Sequence, residues 1–182
     1  MITHSSNFAS NLCAHHVGLG AVADAWQAAA PTSPGMQRLI EGYEAKRAGI
    51  DNTVTAGDLT AMLRTLQPPE LALLARNAYR DDLAAGVPAG TWVGFKNGWF
   101  PSLRHCVGVV RPADAPACVL AICYTGPLAN GNDRHDPAAG LLARLSTTAW
   151  KHRHRIPAGP GPSRPGDLVN GVSTRNPQIP PG

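Results

Sequence analysis

Aromatic residues make up only 5% and charged residues only 15% of the 182-residue chain. The first shortage leaves any core to Leu, Val, Ile and Ala. The second lies well below the roughly 25% usual for globular domains. A hydrophobic content of 43% is still enough for one ordinary domain. No Cys-x-x-Cys occurs among Cys13, Cys106, Cys118 and Cys123, and no His stands at zinc-ligand spacing from a cysteine pair. Neither a metal site nor a cofactor is therefore expected. Apolar runs stay well short of 18 residues, so no membrane span is expected, and no internal repeat is visible. The net charge of +4 and the pI near 9.1 do not point to nucleic acid. The densest basic run, Lys151-His152-Arg153-His154-Arg155, has no aromatic beside it except Trp150 and reads as a solvated helix end.

What is present begins with helices. Ser5 or Ser6 can cap a helix running to Val17, with Phe8, Leu12 and Cys13 on one face. A second helix, Leu19 to Ala30, stops at Pro31. Residues 31 to 54 have no sustained period and read as a long loop with one short helical turn. Thr55 and Asp58 form a capping box, and Leu59, Met62, Leu63 and Leu66 follow as one apolar stripe. Pro68-Pro69 end that helix. Glu70 to Ala85 reads as another, with Leu71, Leu74, Ala78 and Leu83 turned inward.

The character then changes. Thr91 to Phe95, Leu103 to Val110 and Ala117 to Thr125 read as three strands, the last two joined as an antiparallel hairpin. Cys106, Cys118 and Cys123 fall in these runs and are expected to be buried. Asp136-Pro137 starts a closing helix in the order N-cap, then N1 proline, with Leu141, Leu142 and Leu145 on its apolar face. From Pro157 the chain is rich in proline and glycine, and residues 154–182 are expected to be a disordered tail. The reading is one α+β domain over 1–153, with helices, a three-stranded antiparallel sheet segment and a C-terminal helix.

Two stretches carry chemistry. Met1-Ile2-Thr3-His4-Ser5-Ser6-Asn7-Phe8-Ala9-Ser10-Asn11-Leu12 resembles the second signature of class A β-lactamases and penicillin-binding proteins, a Ser-Asp-Asn loop entering a helix. Trp92-Val93-Gly94-Phe95-Lys96-Asn97-Gly98-Trp99 resembles their third signature, Lys-Thr-Gly on an edge strand. Ser5 and Lys96 are 91 positions apart, which agrees with the family, and the intervening helices follow its order. The resemblance covers about residues 1 to 150.

It implies a serine acyl-transfer fold acting on small molecules, β-lactams or peptidoglycan-like amides, with no cofactor. Ser5 would relay a proton to the leaving nitrogen. Asn7 would bond the substrate amide. Lys96 would set positive charge beside Ser5 and the substrate carboxylate. Asn97 would contact that carboxylate, Gly98 would let the substrate approach the strand, and a backbone N–H near Trp99 would serve the oxyanion hole. Three departures stand out. Ser6 replaces the usual Asp, Asn97 replaces Thr or Ser, and the deacylating Glu-x-x-Leu-Asn is absent, although Glu41 lies near its expected place.

No Ser-x-x-Lys occurs in residues 1–182. The expectation is thus a monomeric fragment without the nucleophile, inactive alone. Two rival readings stay open: a non-catalytic module binding the same ligands, and an inert remnant with bare apolar faces. The resemblance implies a secreted or periplasmic protein, whereas no signal-peptide pattern is present. Blander readings also stand. Ser5-Ser6-Asn7 suffices as a helix cap, Lys96 as an exposed strand residue, Glu41 as a solvated loop carboxylate, and Trp92 and Trp99 as packing residues. His15-His16 points two ways on a helix and cannot chelate. His105 and Arg104 are expected on a strand near the site.

Overall fold

The computed structural model describes residues 1–156 except 31, 133 and 134. Six helices and two strands run in chain order: α1 Asn7–Val17, α2 Leu19–Ala29, α3 Tyr43–Arg47, α4 Ala56–Thr65, α5 Pro68–Leu74, β1 Trp92–Arg111, β2 Cys118–Asn130 and α6 Pro137–Lys151. Short 3-10 turns lie at Leu83–Gly86 and Arg153–Arg155. The remainder of the expected tail, from residue 157, lies outside the described residues.

The strands pair antiparallel, with Cys106 opposite Ile122, Gly108 opposite Leu120 and Val109 opposite Val119. Side chains alternate across a strand, so the sheet offers two faces. Cys106 and Val110 point to one side, where they meet Leu83, Phe95 and Leu142 of α6. Val107 and Val109 point to the other, against Leu63 of α4 and Leu71 and Leu74 of α5. A sheet covered on both faces needs near-continuous apolar sequence, which Cys106 to Val110 supplies.

Among the described residues the sheet is built from two continuous elements rather than three separate strands. Thr91–Phe95 and Leu103–Val110 belong to one uninterrupted element, β1. A straight strand would hold Gly94 and Gly108 some 45 Å apart, at about 3.3 Å per residue. Instead, a Cβ on Gly108 would sit 3.1 Å from the Gly94 carbonyl oxygen. The element therefore doubles back near Pro101 and Ser102, where Ser102 takes φ 68° and the register with β2 shifts. A reversal this tight leaves no loop between the two runs.

The expected helix Glu70–Ala85 is also corrected, because α5 stops at Leu74. Asn77 is buried, and its carboxamide donates to the Phe95 carbonyl (3.2 Å) and accepts from the Tyr79 N–H (3.0 Å). The Ala78 N–H donates to the Thr3 carbonyl (2.9 Å). These bonds take backbone groups that a continuing helix would need, so tertiary partners override propensity.

Several local expectations match. Ser6 caps α1, accepting from the Ala9 N–H at 3.2 Å. Thr55 and Asp58 make the reciprocal capping box, and Asp136 caps α6 with Pro137 following it. The α1 face that carries Phe8, Leu12 and Cys13 is open: Phe8 is 79% and Leu12 57% exposed, and Cys13 is exposed too. The core is assembled from the sheet, α4, α5 and α6, whereas α1 packs against α2. Cys106 is buried, Cys118 is half-buried, and Cys123 is exposed.

Asp58 does more than cap. Its Oδ1 also accepts from the Thr32 N–H (3.2 Å), tying α4 to the end of α2. The hydroxyls of Ser33, Thr32 and Thr55 around it hold its carboxyl well below the usual range. A carboxyl depressed on folding contributes stability that is present above its unfolded value near 3.8 and is lost as pH falls below it. Urea midpoints should therefore drop on acidification through pH 4 in the wild type. In Asp58→Asn they should drop less, and an identical acid limb would refute this assignment.

Candidate active site

Three segments supply the candidate site. The first is the turn into α1, in which Ser5 takes φ 50° two residues before the helix. The second is Lys96 and its neighbours on β1. The third is the loop around Glu41, closed at its base by a Gly35–Thr53 bridge and by Arg38 bound to Asp51 at 2.6 Å.

Lys96 Nζ donates to Ser5 Oγ at 2.7 Å, joining residues 91 apart in sequence, and donates also to the Asn97 carbonyl. Burial pulls the ammonium down to about 8, against an opposing pull from the Asp82 carboxylate. Asn7 Nδ2 donates to Glu41 Oε1 at 2.8 Å. Asn11 fixes the backbone beside Glu41, donating to the Ile40 carbonyl and accepting from the Ile40 N–H, each at 2.8 Å. Ser5, Asn7, Lys96 and Glu41 thus meet as two bonded pairs on one loop and its surroundings.

Asn97 is turned away from them. It is 3% exposed, its Nδ2 donates to the Tyr79 carbonyl (3.0 Å) and to Asp82 Oδ2 (2.9 Å), and its Oδ1 accepts from Asn77 (3.1 Å). Its carboxamide is held by these three bonds, whereas the resemblance implied a contact with a substrate carboxylate. Gly98 faces open space, since a Cβ there would meet nothing within 4 Å. Trp99 packs against Tyr79 with ring centres 4.9 Å apart and planes tilted by 60°, and lies under the Arg104 guanidinium.

Behind the site is a buried ionic knot that the sequence did not reveal. Arg104 is fully buried and bonds Asp82 (3.2 Å) and Asp136 (3.4 Å). Burial pushes the Asp82 carboxyl up, against the pull of Asn97 and Arg104. Arg80-Asp81-Asp82 looks in sequence like a solvated run, and only the capping position of Asp82 before a hydrophobic Leu83 hinted otherwise.

Beside Lys96 lies an apolar hollow of about 380 Å³. Ile2, Leu59, Met62, Leu63 and Leu74 line it, together with Lys96, Gly98 and His105. Burial pushes the His105 imidazole down, and its Nδ1 accepts from the Tyr124 N–H at 3.2 Å. Among the described residues no three His, Cys, Asp or Glu stand together as a metal site, and no helix is long and apolar enough to cross a membrane.

Solved structures share this α+β fold. A β-lactamase from Sphaerobacter thermophilus DSM 20745 superposes with a TM-score of 0.69 at 21% identity, over 85% of this chain and 60% of that one. The protein PBP-A gives 0.63 at 19% identity, over 83% and 58%. A variant of the class A β-lactamase of the last common ancestor of Gram-negative bacteria gives 0.62 at 24%, over 83% and 62%. No curated protein matches the chain. Residues 1–153 match the model of the β-lactamase enzyme family, and the chain belongs to that family. It spans about three fifths of the length of these structures.

Proposed function

We propose that residues 1–153 form the supporting half of a serine acyl-transfer cleft that takes β-lactam or peptidoglycan-like amides. The observation that carries this reading is the 2.7 Å contact between Lys96 Nζ and Ser5 Oγ. A cation beside a hydroxyl can hold a substrate carboxylate and hand a proton to a departing nitrogen. Asn7 offers its carboxamide to the substrate amide, and its bond to Glu41 puts a carboxylate where it could orient water. The strand at Gly98 and Trp99 supplies an open edge and a backbone N–H for a carbonyl oxygen. Asn97 serves as a brace for Lys96 rather than as a contact.

Because residues 1–182 contain no Ser-x-x-Lys, ligand is bound without β-lactam turnover. The protein acts as a monomer, outside the cytoplasmic membrane as in the family. Calorimetric titration with benzylpenicillin should show saturable binding. Lys96→Ala should weaken it by about 1.5–3 kcal/mol, the value of a hydrogen bond to a charged group. A chromogenic cephalosporin should stay intact. Equal affinity in Lys96→Ala, or steady cephalosporin hydrolysis by the wild type, would refute the reading.

A further inference from the structure

We propose that Ser5 and Lys96 are themselves a nucleophile and general base for activated carboxylic esters, with the apolar hollow beside Lys96 receiving the acyl chain. The proposal rests on the preceding reading only in taking the cleft to be one for acyl transfer.

Three serines occupy the turn and first residues of α1, and the structure distinguishes them. Ser6 Oγ is engaged as the cap, accepting from the Ala9 N–H at 3.2 Å. Ser10 Oγ donates to the Ser6 carbonyl at 2.9 Å. Ser5 Oγ faces an amine, at 2.7 Å. Ser5 also sits at φ 50°, a strained setting for a residue with a Cβ. A strained serine in a sharp turn before a helix is how hydrolases lift a nucleophilic hydroxyl out of the chain, and such strain persists where the surroundings enforce it. Because α1 starts at Asn7, its positive pole lies beside the hydroxyl and favours negative charge developing there.

The base is suited to the task. A general base works best when its proton affinity is near the working pH, and burial brings the Lys96 amine to about 8. The titratable and charged groups around it are few. Asp82 raises its proton affinity from behind, itself tied to Arg104. His105 and Cys106, which line the same hollow, are moved away from this range: burial pushes the imidazole down and the thiol up. Glu41 is bonded to Asn7 on the other side of the turn.

The chemistry balances. Neutral Lys96 takes the Ser5 proton as the Oγ–carbon bond forms and the carbonyl electron pair moves to oxygen. Collapse breaks the ester C–O bond, and the departing alkoxide takes the proton from Lys96, leaving acyl-Ser5 and free alcohol. Water then adds to the acyl-enzyme, its proton passing through Lys96 to Ser5, and the carboxylic acid leaves. The hollow of about 380 Å³ is lined by Ile2, Leu59, Met62, Leu63 and Leu74. Acyl chains of several carbons should therefore react faster than acetyl.

The test is intact-mass and peptide mapping of the whole chain treated with p-nitrophenyl hexanoate and, separately, with an alkyl fluorophosphonate. One adduct is expected, on the peptide carrying Ser5 and at that residue. Ser10→Ala should label like wild type, and Ser5→Ala should lose the adduct. Lys96→Arg, which keeps a cation but cannot act as base at pH 8, should slow labelling on the order of 100-fold, the usual contribution of a general base. Wild-type labelling should rise with pH and level off above about 8, a readout that needs no variant to fold. No adduct on folded wild type, an adduct elsewhere, equal rates in Lys96→Arg, or a flat pH profile would each overturn the proposal. If penicillin binding depends on Lys96 while Ser5 stays unlabelled, the ester proposal falls and the preceding reading stands.

Discussion

Arg104→Ala is expected to destabilise the protein by about 3–5 kcal/mol, the range found when one partner of a buried ion pair is removed. The guanidinium is fully buried and bonds two carboxylates, Asp82 and Asp136, that are themselves 0% and 4% exposed. Without it, two buried negative charges face each other with no cation between them. A marginally stable domain holds only about 5–15 kcal/mol in reserve, so much of the chain should be unfolded at moderate urea. Urea titration of wild type and variant measures the loss.

Two controls separate charge from packing. Arg104→Ala combined with Asp82→Asn should regain part of the loss, because one of the stranded charges is gone. Acidification should act in the same direction. Burial already raises the Asp82 carboxyl in the wild type, so the folded state binds its proton more tightly than the unfolded one. A raised carboxyl favours folding at lower pH and loses that contribution as pH rises through its folded value. Removing the cation strengthens the effect, so the stability gap between Arg104→Ala and wild type should narrow on acidification, over and above the loss that Asp58 imposes on both. If neither Asp82→Asn nor lower pH helps, lost packing is the cause and the electrostatic account is wrong. Arg153→Ala, at an exposed pair with Asp114, should matter little by comparison.

Gly86→Val is the second large effect expected. A Cβ at Gly86 would lie 2.3 Å from the Ala143 carbonyl oxygen and 2.5 Å from Ser146 Cβ, both in α6. Backbone and Cβ cannot swing aside as a flexible chain end can, so the Leu83–Gly86 turn and α6 must separate. The buried bond from Ser146 Oγ to the Leu83 carbonyl, 2.8 Å, would then be strained or lost. Overpacking of this kind costs typically 1–3 kcal/mol and at times more. The damage should reach the site. Asp82 accepts from the Leu83 N–H at 2.7 Å and holds Asn97 at 2.9 Å, next to Lys96. Thermal melting should show the lost stability, and penicillin titration at a temperature where the variant is folded should show weaker binding. Gly49→Ala is the contrast. Gly49 has φ 84° but open space around it, so only a backbone penalty of about 1–2 kcal/mol applies, with unchanged binding. Equal effects of the two substitutions would mean that the contact with α6 is not what holds the turn.

The local parts of this molecule were legible because they depend on nearby residues. Ser6, the Thr55–Asp58 box and Asp136-Pro137 mark helix starts through bonds that span two or three positions. The hairpin from Leu103 to Thr125 shows in its apolar runs and the Pro-containing turn between them. The two signature stretches and their separation exposed the pairing of Ser5 with Lys96, since a motif carries its partner's type even when the partner is far away.

The remainder was set by contacts that no short window contains. Nothing in sequence joins Asn77, Asp82, Asn97 and Arg104, but they become one buried network because the doubled-back β1 brings Asn97 and Arg104 to the same carboxylate. That network ended the expected helix after Leu74 and turned Asn97 away from the cleft. The apolar residues Phe8 and Leu12 of α1 are exposed, since sequence shows which residues share a face but not what stands opposite them. Composition and spacing pointed to most of the helices and to the hairpin, and the family resemblance pointed to the hydroxyl–ammonium pair. The reversal of β1, the ionic knot and the shape of the hollow were decided by tertiary structure, because burial and pairing of charge depend on neighbours that only folding supplies.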